Sequence, residues 1–155
     1  MKNLFTVLLL STLTLNIFAQ EKVTWHTDFE KAVNLSFQSE KPLFLFFTGS
    51  DWCGWCKKLV AEVFDKKEFK KWANQNVILV ELDFPKRKQI SSKLQKQNSS
   101  LARQFGVRGY PTGYFVNPKI KDGKLTVEEV LGAQGYVRGG PTKWIAGAKK
   151  IIGQK

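Results

Sequence analysis

A pair of cysteines two residues apart constrains this 155-residue chain more than any other feature. Cys53 and Cys56 lie within residues 52–57 (WCGWCK), shortly after the apolar run 43–47 (LFLFF). An apolar run without alternation is typical of a strand buried on both faces of a mostly parallel sheet. Beyond Cys53, apolar residues recur at helical spacing, at Leu59, Val60, Val63 and Phe64. The cysteines are therefore predicted at the first turn of a helix that follows a central strand.

The rest of the chain alternates between helix and strand patterns. Helices are predicted from Asp28 to about Ser39, after Asp65 as N-cap, over about 89–105 with Asn98-Ser99 as a candidate break, and from Pro141 to Ile152. Strands are predicted over 77–82, 114–116 and 125–131, the last two joined by a turn through Asn117-Pro118 and Asp122-Gly123. The order βαβ followed by ββα predicts an α/β fold, with a central mixed β-sheet flanked by helices.

The N-terminus has the pattern of an export signal. Lys2 precedes the apolar run 4–15, and a small residue, Ala19, comes just before the polar residues that begin at Gln20. The apolar stretch is shorter than the roughly 20 residues that a membrane-spanning helix needs, although an uncleaved anchor is an alternative. We therefore expect a signal peptide at residues 1–19, cleaved near Ala19/Gln20, and a single domain at 20–155 in the periplasm or secreted, with no integral membrane segment after cleavage.

The chain is strongly basic, with 25 Lys and Arg against 13 Asp and Glu and a net charge of +12. Such a balance favours nucleic acid or acidic partners, and export makes acidic proteins or envelope components the expected ones, with no nucleic acid. The densest basic stretch, 86–88 followed by Lys93, Lys96 and Arg103, is predicted in a polar helical region, where such runs are usually solvated.

Few side chains are available for chemistry. Two cysteines and one histidine exclude a disulfide-stapled scaffold and a four-cysteine zinc site, and His26 alone offers little for an intrachain metal site, so none is predicted. Lys57 follows the second cysteine, where c-type haem attachment requires His. The free amides and dipole of a helix N-terminus favour a thiolate at Cys53, which predicts a redox pair with Cys56 as the less exposed resolving thiol and no cofactor. A purely structural disulfide is the alternative, although its loop is too short to stabilise much.

Residues 52–57 after the predicted strand, together with residues 107–112 (VRGYPT), resemble the thioredoxin superfamily over about 29–152. The similarity extends to exported bacterial thioredoxin-like proteins and to the C-terminal domain of the periplasmic thiol:disulfide interchange protein. It implies a thioredoxin-like fold, a cis peptide bond before Pro111, which would face the cysteines, and backbone hydrogen bonds from Tyr110 to a substrate. An ordinary trans-proline opening a strand is the alternative. Trp52 and Trp55 are expected to form an apolar rim for partners, with Gly54 between them, unless they are partly core.

The chain departs from this family in one respect. Many thioredoxins carry a buried Asp six residues before the first cysteine, where this chain has Phe47. Glu81 near the end of the second buried strand, or Asp51 in the turn, is a candidate replacement for proton transfer, whereas Glu62 lies about 180° around the helix from Cys53. Strongly oxidising members usually place His between the cysteines, and its absence indicates a less oxidising pair, tuned weakly by Lys57 and Lys58.

The sequence therefore predicts an exported thiol:disulfide oxidoreductase that reduces disulfides in envelope proteins. Two cysteines store only one pair of electrons, so a reductase needs an upstream protein donor, for which a membrane electron-transfer protein is a candidate. An oxidase or isomerase is the nearest alternative. A binding or chaperone-like module, in which the cysteines are incidental, is the alternative from another class.

Overall fold

The computed structural model describes residues 22–154, apart from the side chains at 124, 125 and 128. The predicted signal peptide lies outside this range. The strands are β1 (Trp25–His26), β2 (Leu43–Thr48), β3 (Ile78–Asp83), β4 (Thr112–Lys121) and β5 (Lys124–Ala133). The helices are α1 (Phe29–Ser39), α2 (Gly54–Leu59), α3 (Lys67–Asn76), α4 (Ser92–Gln104) and α5 (Gly140–Ile151). A π-helical segment, Val60–Phe64, continues α2.

The five strands form one mixed sheet in the order β1-β3-β2-β4-β5. β1, β3 and β2 are parallel, whereas β4 and β5 are antiparallel to their neighbours. All six residues of β2 are buried, as expected for a central strand whose apolar residues do not alternate with polar ones. The predicted α/β fold with a mixed sheet is confirmed.

Helices cover both faces of the sheet, and β2 feeds a hydrophobic core on each side. Phe44 and Phe46 join the core beneath α2, α3 and α5, where Trp144 is fully buried among aromatic rings. Leu45 and Phe47 join the core beneath α1 and α4. Both cysteines belong to the first core, so the pair rests on a rigid aromatic layer.

Three local predictions are corrected. Asp65 does not cap α3: it ends the π-helical segment by donating its N–H to Val60, and α3 begins after Lys66 without a side-chain cap. Helix α4 is not broken near Asn98, because this buried side chain donates to the carbonyl of Asp83 rather than to its own backbone.

The third correction concerns the β4–β5 hairpin. Asn117 and Pro118 lie inside β4, at an irregularity in the strand register that accommodates the missing N–H of proline. The turn itself uses only Asp122 and Gly123, both with positive φ, as a two-residue hairpin of the observed twist requires.

Among residues 22–154, no helix combines the length and apolar character needed to cross a membrane.

Candidate active site

The two cysteines form a disulfide at the start of α2, just beyond the carboxyl end of β2. Cys53 is the N-cap of α2, and its sulfur accepts the backbone N–H of Cys56 at 3.1 Å. The Cα atoms are 5.2 Å apart. Cys53 is 5% exposed and Cys56 1%, in the order predicted for an attacking and a resolving thiol. The helix N-terminus supplies the N–H groups and the dipole that stabilise a thiolate at Cys53.

The peptide bond between Tyr110 and Pro111 is cis, which confirms the prediction that rested on the VRGYPT segment. Thr112, the next residue, pairs with Phe47 across the antiparallel β4 and β2 strands. This register brings Pro111 to the end of the sheet from which the chain enters the cysteine turn.

Trp52 is firmly held on one side of the disulfide. Its indole N–H donates to the carbonyl of Phe84 at 2.8 Å, and its ring meets Tyr110 edge-on, with ring centroids 5.7 Å apart. Gly49 lies against the indole: a Cβ added there would come within 2.4 Å of the ring. The Nζ of Lys86 lies 4.2 Å from the ring centroid, a cation–π distance. Burial raises the pKa of Tyr110 above its ordinary value.

The residues after β3 form an ordered loop, 84–90 (the anchor loop), that is bound to the cysteine turn. The Asp51 carboxylate accepts the backbone N–H groups of Lys86, Arg87 and Lys88 at 3.0, 2.7 and 3.0 Å. In return, the buried Asp83 carboxylate accepts the N–H and the hydroxyl of Ser50 at 2.8 and 2.7 Å. The turn and the anchor loop therefore hold each other in place.

Asp51 is thus a structural carboxylate. Hydrogen bonds from the backbone N–H groups of the anchor loop, led by that of Lys86, lower the pKa of Asp51 from 3.8 to about 2, against a smaller desolvation effect. Because this carboxylate stays ionised and its oxygens are occupied, Asp51 is a poor proton acceptor for a thiol. This finding argues against Asp51 as the replacement for the missing buried Asp.

The other side of the disulfide is more open. Trp55 is 57% exposed, and its ring contacts that of Tyr136 with centroids 5.3 Å apart. The Nζ of Lys58 lies over both rings, 5.2 and 5.4 Å from their centroids. The Tyr136 hydroxyl donates to the Glu62 carboxylate at 2.6 Å, and this bond, more than burial, raises the pKa of Tyr136. Glu62 therefore serves the rim around Trp55 and not the cysteines.

Two further predicted site residues, Gly54 and Lys57, are exposed on α2. A Cβ at Gly54 would meet nothing within 4 Å, so this position is open to a partner rather than sterically required to be glycine. The ammonium of Lys57 donates to the backbone carbonyl of Asp51 at 3.1 Å. The redox-tuning role of Lys57 stays a prediction.

Glu81 lies on the face of the sheet that carries the cysteines. It is paired in register with Phe46, whose ring joins the core beneath α2. Burial raises the pKa of Glu81, the nearby Asp83 raises it further, and Lys88 opposes the change. Phe47, in the position of the usual Asp, instead points into the opposite core against Phe105 and Tyr114.

Sequence reasoning missed the anchor loop and the residues that hold it. Residues 86–88 were expected in a helical region, but they precede α4, and Lys88 pairs with Asp83 at 2.9 Å. The Asp-Trp-Cys order at 51–53 was the one available signal, since Asp is a common acceptor for backbone N–H groups in turns. Within residues 22–154, no group of three or more His, Cys, Asp or Glu could hold a metal ion.

Comparison with known proteins agrees with this geometry. A family model described as a thioredoxin-like domain matches residues 29–140. The chain belongs to this family. It is 31% identical over 134 residues to the disulfide bond reductase DsbH of Chlamydia pneumoniae, covering 86% of this chain and 75% of that protein.

Solved structures show the same relationship. A structure of a DsbH oxidoreductase superposes with a TM-score of 0.75 and 30% identity, covering 86% of this chain and 87% of that one. The oxidised C-terminal domain of DsbD from Neisseria meningitidis shares the fold, with a TM-score of 0.50 and 19% identity, covering 78% of this chain and 90% of that one. Together with the Cys53–Cys56 disulfide, the family supports a thiol:disulfide oxidoreductase.

Proposed function

We propose that the chain is an exported protein-disulfide reductase of the bacterial envelope. The observation that carries the proposal is the Cys53–Cys56 disulfide at the N-terminus of α2, at the same end of the sheet as cis-Pro111. A thiolate at the N-cap is in position to attack, and the second sulfur, three residues on, is in position to resolve.

The reaction balances without a cofactor. In the reduced protein, the Cys53 thiolate attacks a partner disulfide, forming a mixed disulfide and releasing one partner thiolate. The Cys56 thiolate then attacks the Cys53 sulfur, closing the intramolecular disulfide and releasing the second partner thiolate. Two electrons pass to the partner, and an upstream dithiol protein must return two electrons to the pair before the next cycle.

The direction rests on the environment of the pair. Only Gly54 and Trp55 lie between the cysteines, so no positive side chain there stabilises the thiolate. The ammonium of Lys58, which follows the pair, is engaged with the Trp55 and Tyr136 rings, so we do not count it as a stabilising charge for the thiolate. A thiolate with less stabilisation gives a less oxidising couple, which favours reduction of partners. The similar Chlamydia protein is itself named a disulfide bond reductase.

The place of action and the electron donor follow from the same proposal. The apolar run at 4–15 supports export, and disulfides are common in the partner proteins of that compartment. Because cytoplasmic reductants do not reach it directly, a membrane electron-transfer protein is the donor that we propose.

The reduction potential of the Cys53/Cys56 couple tests the direction. We expect a value near about −270 mV, as in thioredoxin, whereas a value near about −120 mV would establish an oxidase instead. Insulin reduction tests turnover: Cys53→Ser should abolish it, and Cys56→Ser should trap the mixed disulfide. If Cys53→Ser matched the wild type, the chain would be a binding module in which the cysteines are incidental.

Glu81 is the proposed proton acceptor for the Cys56 thiol, because it lies on the cysteine face and has a raised pKa. Glu81→Gln should flatten the pH dependence of peptide-disulfide reduction, because it removes a carboxyl whose raised pKa makes it titrate above the ordinary range of glutamate. Glu62→Gln is the matched control, since Glu62 binds Tyr136 and should leave the profile unchanged. An unchanged profile in Glu81→Gln would remove Glu81 from the mechanism.

A further inference from the structure

The anchor loop places positive charge against Asp51 and Trp52, the two residues before Cys53. Lys86 and Arg87 are exposed, and Lys86 lies over the Trp52 ring at 4.2 Å. The Arg87 guanidinium donates to the carbonyl of Asp51, the residue before Trp52. Among the ion pairs of residues 22–154, none includes Lys86 or Arg87. These two cations are therefore available to a carboxylate on another molecule.

The carboxylates of this region are already engaged. Asp51 accepts three backbone N–H groups of the anchor loop. Asp83 accepts two hydrogen bonds from Ser50 and pairs with Lys88, and Glu81 is partly buried on the sheet. The outward charge of this flank is consequently positive, and two more exposed cations, Lys57 and Arg108, stand close to the cysteines and to Tyr110 in sequence.

The loop is also built as a rigid surface. Its backbone is held by the Asp51 carboxylate through the N–H groups of Lys86 and Arg87, and the Arg87 guanidinium adds one bond to the Asp51 carbonyl. Between the loop and α4 lies a recess of about 420 Å³, lined by Lys86, Lys88, Gln95 and Ser99 among others. A partner strand that reaches Cys53 past Trp52 would therefore meet fixed cations and space for a side chain.

We propose that the anchor loop selects partner proteins whose reactive disulfide is flanked by acidic residues. This inference rests on the proposed function and specifies its substrate class. Asp or Glu next to the partner cysteine would meet Lys86 and Arg87 while the partner sulfur meets Cys53. Charge pairing of this kind chiefly raises the rate of productive encounter and is weakened by salt.

The test uses the reduced protein in single-turnover reactions with disulfide-bonded peptides that differ only in Glu or Lys beside the cysteine. A neutral small disulfide, bis(2-hydroxyethyl) disulfide, reports the intrinsic reactivity of the pair. At low salt, we expect the acidic peptide to react about tenfold faster than the basic one. The double variant Lys86→Glu/Arg87→Glu should lose or reverse this preference, measured as the ratio of the acidic-peptide rate to the basic-peptide rate after each is divided by the rate with the neutral disulfide.

A matched control separates the loop from the overall charge. Lys71→Glu/Lys150→Glu changes the net charge equally, on exposed positions of α3 and α5 toward the opposite end of the sheet, and should keep the preference. The milder variant Lys86→Gln/Arg87→Gln should show a preference for the acidic peptide that lies between those of the wild type and of the charge-reversed variant. It keeps the test decisive if the charge-reversed variant fails to fold.

Each outcome decides the question. If the loop and control variants lose the preference for the acidic peptide equally, or if the wild type shows no preference, the proposed role of the loop is overturned and the proposed reductase function stands. Failure of the wild type to react with any disulfide, including the neutral one, overturns the proposed function and this inference with it.

Discussion

The two tryptophans of the WCGWCK segment flank one disulfide but belong to different kinds of surface. Trp52 is fixed by a hydrogen bond to Phe84, by the absence of a side chain at Gly49 and by the Tyr110 ring. Trp55 is 57% exposed and is held mainly by the Tyr136 ring and by Lys58. The first flank is part of the fold, whereas the second is part of the surface.

This difference follows from where each flank finds its partners. Asp51 and Trp52 bind the anchor loop, and Ser50 binds Asp83 at the end of β3, the strand next to β2, so the Trp52 flank is tied to the sheet. The Trp55 flank depends on Tyr136, which lies in the connection between β5 and α5. A rigid flank suits alignment of a partner strand, and an open one suits contact with varied side chains.

The largest expected contrast is between Trp52→Ala and Trp55→Ala. Removing the half-buried Trp52 should lower the free energy of unfolding by about 2 kcal/mol, because a cavity and an unpaired carbonyl of Phe84 are left behind. Trp55→Ala should change it by less than about 0.5 kcal/mol. Urea unfolding of the oxidised proteins measures both values. Equal losses in the two variants would contradict the distinction between the flanks.

The exposed Trp55 should matter for the reaction with a protein substrate rather than for stability. Trp55→Ala should slow insulin reduction by up to about tenfold, the loss of roughly 1.4 kcal/mol of contact energy, without slowing bis(2-hydroxyethyl) disulfide. If the rates with both disulfides fell equally, Trp55 would be changing the reactivity of the cysteine pair rather than contacting the partner.

The second contrast uses two glycines near the cysteines, one before the WCGWCK segment and one within it. Gly49→Ala should destabilise the protein by about 1–2 kcal/mol, because its Cβ would meet the Trp52 indole at 2.4 Å. Gly54→Ala is the matched control, since its Cβ would meet nothing within 4 Å and alanine suits a helix better. Thermal or urea unfolding gives the comparison, and a Gly49→Ala protein as stable as Gly54→Ala would refute the close contact.

The sequence predicted the parts of the site that depend on local pattern. The apolar run of β2, the helical spacing after Cys53 and the VRGYP segment each carry their own signal, and the strand, the helix and the cis bond follow. The central strands needed no more than a run of apolar residues bounded by turns.

The sequence did not predict what depends on backbone groups far along the chain. Asp51 binds N–H groups 35 to 37 residues away, and Asn98 binds a carbonyl 15 residues away. Every residue provides a backbone carbonyl and every residue but proline an N–H, so neither the anchor loop nor the unbroken α4 leaves a side-chain pattern. The π-helical segment is similar, because one extra residue in a turn changes Asp65 from a cap into a terminus without changing the composition.

Protonation of Asp51 should loosen the anchored flank in acid. Its pKa is lowered to about 2, below the ordinary value of 3.8, so its stabilisation is complete above about pH 4 and is lost as the pH falls through about 2. The stability difference between wild type and Asp51→Asn should therefore disappear over that interval, as urea unfolding against pH would show. Asp28→Asn, at the α1 cap, is the control for the place of the effect: the pKa of Asp28 is also lowered, so its stability difference should likewise shrink in acid, but this carboxylate accepts the N–H of Lys31 and does not hold the anchor loop.

The smallest expected effect is that of Tyr136→Phe on the open flank. The substitution removes the hydroxyl that donates to Glu62 and keeps the ring against Trp55, so the rate of insulin reduction should stay within about twofold of the wild type. The pKa of Tyr136 is raised, which means that folding favours its neutral form: the contribution is present below the ordinary tyrosine pKa of 10.0 and is lost as the pH rises through the raised value. A tyrosinate absorbance titration of the folded protein should therefore lose a late-titrating phenol in Tyr136→Phe. Loss of a phenol that titrates in the ordinary range would mean that the bond to Glu62 does not form in solution, and that the flank around Trp55 is even less constrained than its ring contacts indicate.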